Sequence, residues 1–211
     1  MTKSLVLGAA LATAFTSTAA FADVTANIGV ASQYYWRGTS LSNSAPAVSG
    51  GVDYGHESGL YAGVWTSSEG AYGGSETDFY GGFAGEVEGL SYDIGYVAYR
   101  YFQEETQGFG TGNDFEEVYL GLGFGPVSFF YANDSDNDAT YYSLSGEFEG
   151  ITLTYGSYEF DTAPAADYTH VDLGYGLTDE LSVLLSMPST DSPSPEETIF
   201  VISYGLEFEV K

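Results

Sequence analysis

The chain has 211 residues and a formal net charge of −26, with 30 acidic residues against four Lys and Arg. That balance excludes nucleic-acid binding, because phosphate contacts need Lys and Arg. The absence of cysteine excludes a disulfide-stapled scaffold, and 17% aromatic residues is too rich for an acidic disordered chain.

Residues 1–22 carry one positive charge at Lys3, an apolar run from Leu5 to Phe15 and a small-residue end at Ala20-Phe21-Ala22. This pattern predicts a cleavable Sec-type signal peptide, since the run is too short to cross a bilayer as a helix. Residues 23–211 are then one exported domain, and no later segment is apolar for long enough to be a membrane helix.

From Asp23 onward the governing pattern is alternation with period two, the mark of strands. Val24, Ala26, Ile28 and Val30 alternate with polar or small neighbours, as do Phe79, Gly81, Phe83 and Val87. The same holds for Val118 to Phe124, Tyr142 to Phe148, Val171 to Leu177 and Ile202 to Val210. Weaker strands are expected near 46–54, 60–67, 90–102, 127–132, 151–159 and 181–187. Short connections fall at 55–59, Glu88-Gly89, Gly125-Pro126, Glu149-Gly150 and 178–180. Longer polar ones fall around 38–45, 68–76, 103–114, 133–139, 160–167 and 188–197. Strict alternation of long and short connections predicts an all-β, transmembrane, antiparallel up-and-down barrel of about twelve strands, with ten or fourteen as alternatives. Both termini and the short turns then lie in the periplasm, and the long loops lie outside. One face of each strand is apolar and suits lipid, while the other is small, polar and often acidic and suits a wet lumen.

At Tyr35-Trp36-Arg37-Gly38-Thr39-Ser40 the chain begins to resemble the TorF family of small bacterial outer-membrane porins. The resemblance continues through Pro46, Gly50, Asp53 to Gly59, Tyr61 to Trp65 and Glu76 to Gly82, and more faintly through Ser91 to Gly95 and Glu116 to Tyr119. It implies an outer-membrane pore with no catalytic residues to carry over.

The pore-lining candidates are the acids whose parity places them in the lumen: Asp53, Asp78, Glu86, Asp93, Glu117, Glu147, Asp172 and Glu207. Carboxylates around an aqueous path favour cations. The expected function is passive diffusion of ions and small hydrophilic solutes with a cation preference. The alternative is a closed structural or adhesive barrel with acidic surface loops. Arg37 is expected on the lumen side of the first strand near the outer mouth, ion-paired with an acid such as Asp78. His170 shares a face with Asp172. Arg100 takes lipid-facing parity near the outer rim, where it meets lipopolysaccharide phosphates unless a bulge turns it inward. The many lumen glycines and serines favour an opening.

Other features are read as structural. His56-Glu57-Ser58 is a turn rather than a Ser-His-acid triad, and the chain is expected not to be an enzyme. Asp134, Asp136 and Asp138 mimic the opening of a calcium loop, but Ala139 and Ser145 stand where glycine and glutamate are needed, so the metal candidacy is weak. Tyr34, Trp36, Tyr92, Tyr131 and Tyr155 are expected as interfacial anchors. No cofactor is implied. Expected partners are outer-membrane lipids and lipopolysaccharide, the barrel-assembly machinery, small solutes or cations, and further copies of the chain in a possible homo-oligomer.

Overall fold

In a computed structural model the chain closes into a twelve-stranded antiparallel barrel. The structure describes residues 23–69, 74–103, 114–190 and 197–210, so the expected signal peptide and the middles of several long loops lie outside the described residues. The barrel strands are β1 (Asp23–Ala31), β4 (Ala47–Gly55), β5 (Leu60–Glu69), β6 (Gly74–Val87), β7 (Leu90–Gln103), β8 (Phe115–Phe124), β9 (Val127–Asp134), β10 (Ala139–Phe148), β11 (Ile151–Phe160), β12 (Tyr168–Gly176), β13 (Leu181–Thr190) and β14 (Ile199–Val210). Two further short strands, β2 (Tyr35–Trp36) and β3 (Thr39–Ser40), form a separate hairpin between β1 and β4.

Each barrel strand pairs with its sequence neighbours, and β1 closes the ring by pairing with both β4 and β14. Val24 lies opposite Val210 and also opposite Tyr54, so both ends of the described barrel lie at the short-turn end. The tightest turns follow backbone chemistry. Glu88-Gly89 and Glu149-Gly150 have positive φ at both residues, the mirror-image turn whose twist matches that of a hairpin. One expectation is corrected. The connection after β9 is only residues 135–138, no longer than residues 56–59 at the other end, because Asp134 folds the chain back with its side chain.

Parity sets the two faces as the alternation predicts. Each strand turns at least one exposed large apolar side chain outward, from Ile28 on β1 through Leu144 on β10 to Ile202 on β14. Arg100 is on this outer face. Its charge is met by Glu116 at 2.5 Å and Asp114 at 3.8 Å, and its remaining donors reach the carbonyls of Tyr99 and Phe115.

The inner face corrects the reading of glycine as open space. Tyr61 lies across Gly82, Tyr80 across Gly63 and Tyr119 across Gly95, each ring occupying the space a Cβ would take on the neighbouring strand. The glycines let tyrosines lie flat along the inner wall. Their phenols then reach carboxylates: Tyr61 donates to Asp93 at 2.6 Å and Tyr80 to Asp53. Gly95→Val is therefore expected to force Tyr119 off the wall and to destabilise the barrel by about 1–3 kcal/mol, as overpacking does. Gly146→Val, on the outer face where a Cβ meets nothing within 4 Å, is the uncrowded control and is expected to change stability little. Urea unfolding of the refolded barrel in detergent checks both.

Candidate functional site in the barrel lumen

The site is built by the first long connection. Residues 32–46 leave β1 and return to the adjacent β4, yet between these ends they cross the interior to the far wall. Arg37 and Gly38, with φ of 45° and 86°, make the tight turn of the β2–β3 hairpin. Ser42 braces the loop by accepting from the Tyr34 N–H at 2.8 Å and donating to the Ala45 carbonyl at 2.6 Å. Arg37 is thus not on the first strand, which ends at Ala31, and its partner is Glu117 rather than Asp78.

The side chains of Arg37, Tyr35 and Tyr34 tie the loop to the wall. Arg37 Nη1 and Nη2 donate to Glu117 Oε1 and Oε2 at 2.6 and 2.8 Å, the two-pronged geometry that makes such pairs strong. Glu117 Oε2 also accepts from the Tyr99 hydroxyl at 3.0 Å. The guanidinium carbon lies 4.5 Å from the Trp36 ring centre and 4.4 Å from that of Tyr141. Phe130 and Tyr158 stand farther out at 5.6 and 5.9 Å. Tyr35 donates to Asp172, and Tyr34 donates to Glu76. Burial raises both phenols above their ordinary range, and Asp172 and Glu76 raise them further, so they stay protonated donors.

Trp36 packs edge-on against Tyr99 and Phe115 and tilts against Tyr158. Tyr34 and Trp36 are therefore lumen residues and not interfacial anchors, whereas Tyr131 and Tyr155 are exposed on the outer face. Gly38 is required: a Cβ there would lie 2.9 Å from His170 Cβ. His170 pairs with Asp172 at 2.9 Å as the shared face predicts, and its other ring nitrogen meets the Tyr141 hydroxyl at 3.0 Å. Ser186 donates to the Tyr35 hydroxyl at 3.4 Å, so this Ser, His and Asp set does not run from serine to histidine.

The lumen is graded along its axis. Glu86, Glu147 and Glu207, near the short-turn end, are exposed although their parity is inward. Asp53 is half-buried, bonded to Tyr80 and to Asn27 at 3.2 Å, and Asp93 is buried. Further toward the long-loop end water is excluded. Glu117, Asp78 and Glu76 are no more than 2% exposed, and Tyr158, His170, Ser186 and Val201 are buried on β11, β12, β13 and β14. Glu69, Glu76 and Asp134 join the predicted acids here; all three fall in stretches expected as long connections, Asp134 as a weak calcium candidate, and the strands run far enough to carry them inward.

The remaining candidates lie apart. Asp134 accepts from the backbone N–H of Asp136 and Asn137 and from the Asn137 side chain, while Asp136 and Asp138 are exposed. Among the described residues no group of three or more His, Cys, Asp or Glu is placed to hold a metal ion. His56 Nδ1 and Ser58 Oγ meet at 2.9 Å within their own turn.

The closed barrel has fold counterparts among solved structures. The chain belongs to the Gcw_chp family. This family of bacterial proteins of unknown function matches residues 15–183. No curated protein matches the chain. Among solved structures, the KdgM porin aligns with a TM-score of 0.53 at 10% identity, covering 89% of this chain and 99% of that one, and shows the same fold. Outer membrane phospholipase A from Escherichia coli aligns at 0.45 and 10% identity, covering 87% of this chain and 89% of its own. OpdK of Pseudomonas aeruginosa, solved with vanillate, aligns at 0.42 and 16% identity, covering 88% of this chain and 60% of that one.

The docking geometry gives a direct expectation. Arg37→Met or Glu117→Met strands one buried charge and is expected to cost up to about 3–5 kcal/mol, capped by the free energy of docking the loop. The double replacement leaves no charge and is expected to cost much less than the sum. A double-mutant cycle on chemical unfolding, with hydrogen exchange of residues 34–42 as the local readout, measures the coupling.

Proposed function

We propose that the protein is an outer-membrane passage of porin type, favouring cations and constricted by its own first loop. The observation that carries this reading is the charge of the inner wall. Asp53, Asp78, Asp93, Glu117, Asp172 and the exposed Glu86, Glu147 and Glu207 share it, and Arg37, the one arginine among the described lumen residues, arrives on the loop. Carboxylates in a narrow, low-dielectric enclosure lower the energy of a cation and raise that of an anion. The apolar outer belt supports membrane insertion, because a closed barrel satisfies its backbone groups within the sheet and can meet hydrocarbon. On this reading the short-turn end and both termini face the periplasm, the outer belt contacts lipid, and Arg100 with its acidic partners sits by the lipopolysaccharide headgroups. The chain would be exported by its signal peptide and inserted by the barrel-assembly machinery. No step of chemistry is assigned to it, since the His170 nitrogens are taken by Asp172 and Tyr141.

A second reading, a closed structural barrel, is favoured by the water-excluded level around the docked loop. The loop separates the two readings. Its ends join strands that already pair at Ala31 and Ala47, so a short Gly-Ser turn can replace residues 33–45 without disturbing the ring. In planar bilayers the natural chain is expected to give small conductance steps and the shortened chain larger ones. Potassium should permeate over chloride, with the preference shrinking as salt screens the carboxylates. No steps from either well-inserted protein would favour the closed barrel, and anion preference would sink the charge argument. Membrane insertion has its own check. Leu144→Arg, at an exposed outer position, is expected to cost about 2–4 kcal/mol in lipid if that position lies near the bilayer midplane, read from unfolding in vesicles.

A further inference from the structure

The guanidinium of Arg37 occupies a site whose walls belong almost wholly to the barrel. The loop contributes Trp36. Tyr99, Glu117, Phe130, Tyr141 and Tyr158 come from β7, β8, β9, β10 and β11. Without the arginine there remains a carboxylate held by a phenol and faced by aromatic rings. That combination suits one chemistry above others. A planar guanidinium engages both carboxylate oxygens at once, is weakly hydrated and stacks on rings, whereas a sodium ion gains from none of these. Asp78 lies opposite Tyr99, the residue that bonds Glu117, and Glu76 is two residues along the same face; they are 2% and 1% exposed. Glu76 Oε2 and Asp78 Oδ1 are buried with no hydrogen-bond partner. The site therefore holds more acceptor capacity than Arg37 uses.

We propose that this is a binding site for a solute bearing a guanidinium group, occupied in the docked state by Arg37 as a tethered stand-in. The proposal rests on the reading of the lumen as a passage and names the class of cation that passage selects. A free guanidinium solute competes with the loop for Glu117, so binding and undocking are one exchange. The unpartnered oxygens of Glu76 and Asp78 offer further acceptors to a solute carrying a second donor group. A simple alkylammonium keeps the attraction to the rings but loses the two-pronged bond, so it ranks below guanidinium.

The test uses the full chain refolded in detergent. Arg37→Ala empties the site, and calorimetric titration with low-millimolar guanidinium chloride is compared with sodium chloride at equal ionic strength. Saturable guanidinium binding is expected, at least about tenfold tighter than in the natural chain, where Arg37 competes. It should disappear in Arg37→Ala/Glu117→Gln. Equal affinity in all three proteins, or equal heats from the two salts, overturns the site. Should Arg37→Ala refold poorly, the yield of heat-modifiable barrel becomes the readout. Rescue by guanidinium chloride but not by sodium chloride supports the site, and equal yields overturn it. Bilayer conductance of the same variant is recorded separately. Cation-selective current without guanidinium binding leaves the passage standing and removes only the site, while binding without current does the reverse.

Discussion

The ion pair between Arg37 and Glu117 is the constraint on which the interior depends. A barrel of eight strands fills itself with side chains, and twelve strands enclose a wider interior. Here a loop supplies the missing volume, and its hold on the far wall is a bidentate charge pair largely shielded from water. Such a pair repays its desolvation only with good geometry and satisfied neighbours. Both are present: Glu117 Oε2 also meets Tyr99, and the faces of the guanidinium meet Trp36 and Tyr141. The arginine is also counter-charge. Glu76 and Asp78 already keep one buried oxygen each without a partner, so losing the loop would leave the inner wall with acids alone at this level.

Tyrosine, glycine and carboxylate act as one device on that wall. Glycine on one strand lets a tyrosine from the next lie flat, and the flattened phenol reaches an acid on a third. Tyr80 over Gly63 donating to Asp53, and Tyr61 over Gly82 donating to Asp93, repeat the arrangement. The phenol solvates the carboxylate as water would while leaving its charge in place. Part of the chain's complement of 28 glycines and 19 tyrosines follows from this use.

The strands were legible because alternation over eight or more residues is a strong local signal, and the tight turns because Xaa-Gly pairs announce mirror-image hairpins. Arg37-Gly38 carries the same signature as Glu88-Gly89 and Glu149-Gly150, with positive φ at all six residues. It was readable as a hairpin, but its flanking runs are too short to show alternation. Where that hairpin goes was not readable. Glu117 lies 80 positions from Arg37 and Asp172 lies 137 from Tyr35, and no local pattern links such residues. Parity placed the acids on the right face yet could not say which are dry, since Glu86 and Asp78 share one strand and one face but opposite exposure. An aromatic residue beside a strand end reads equally as membrane anchor or as lumen filler, and for Tyr34 and Trp36 the second holds.

The manner of docking decides whether the loop is wall or gate. A strand is bound into the ring by a ladder of backbone bonds on both sides, and moving one would leave those groups unpaired in hydrocarbon. The loop has no such ladder. Among the described residues, the backbone-to-backbone bonds of residues 34–46 stay within the loop, as in Leu41 N–H to Tyr34 O at 2.8 Å and Ala45 N–H to Ser42 O at 2.9 Å. The polar links to the far wall described above run through the side chains of Tyr34, Tyr35 and Arg37. Each can be exchanged for a solute group or for water one at a time, with every strand bond intact. Filling a wide barrel with a side-chain-docked loop, rather than with larger wall residues, narrows the interior without committing any strand bond to the narrowing.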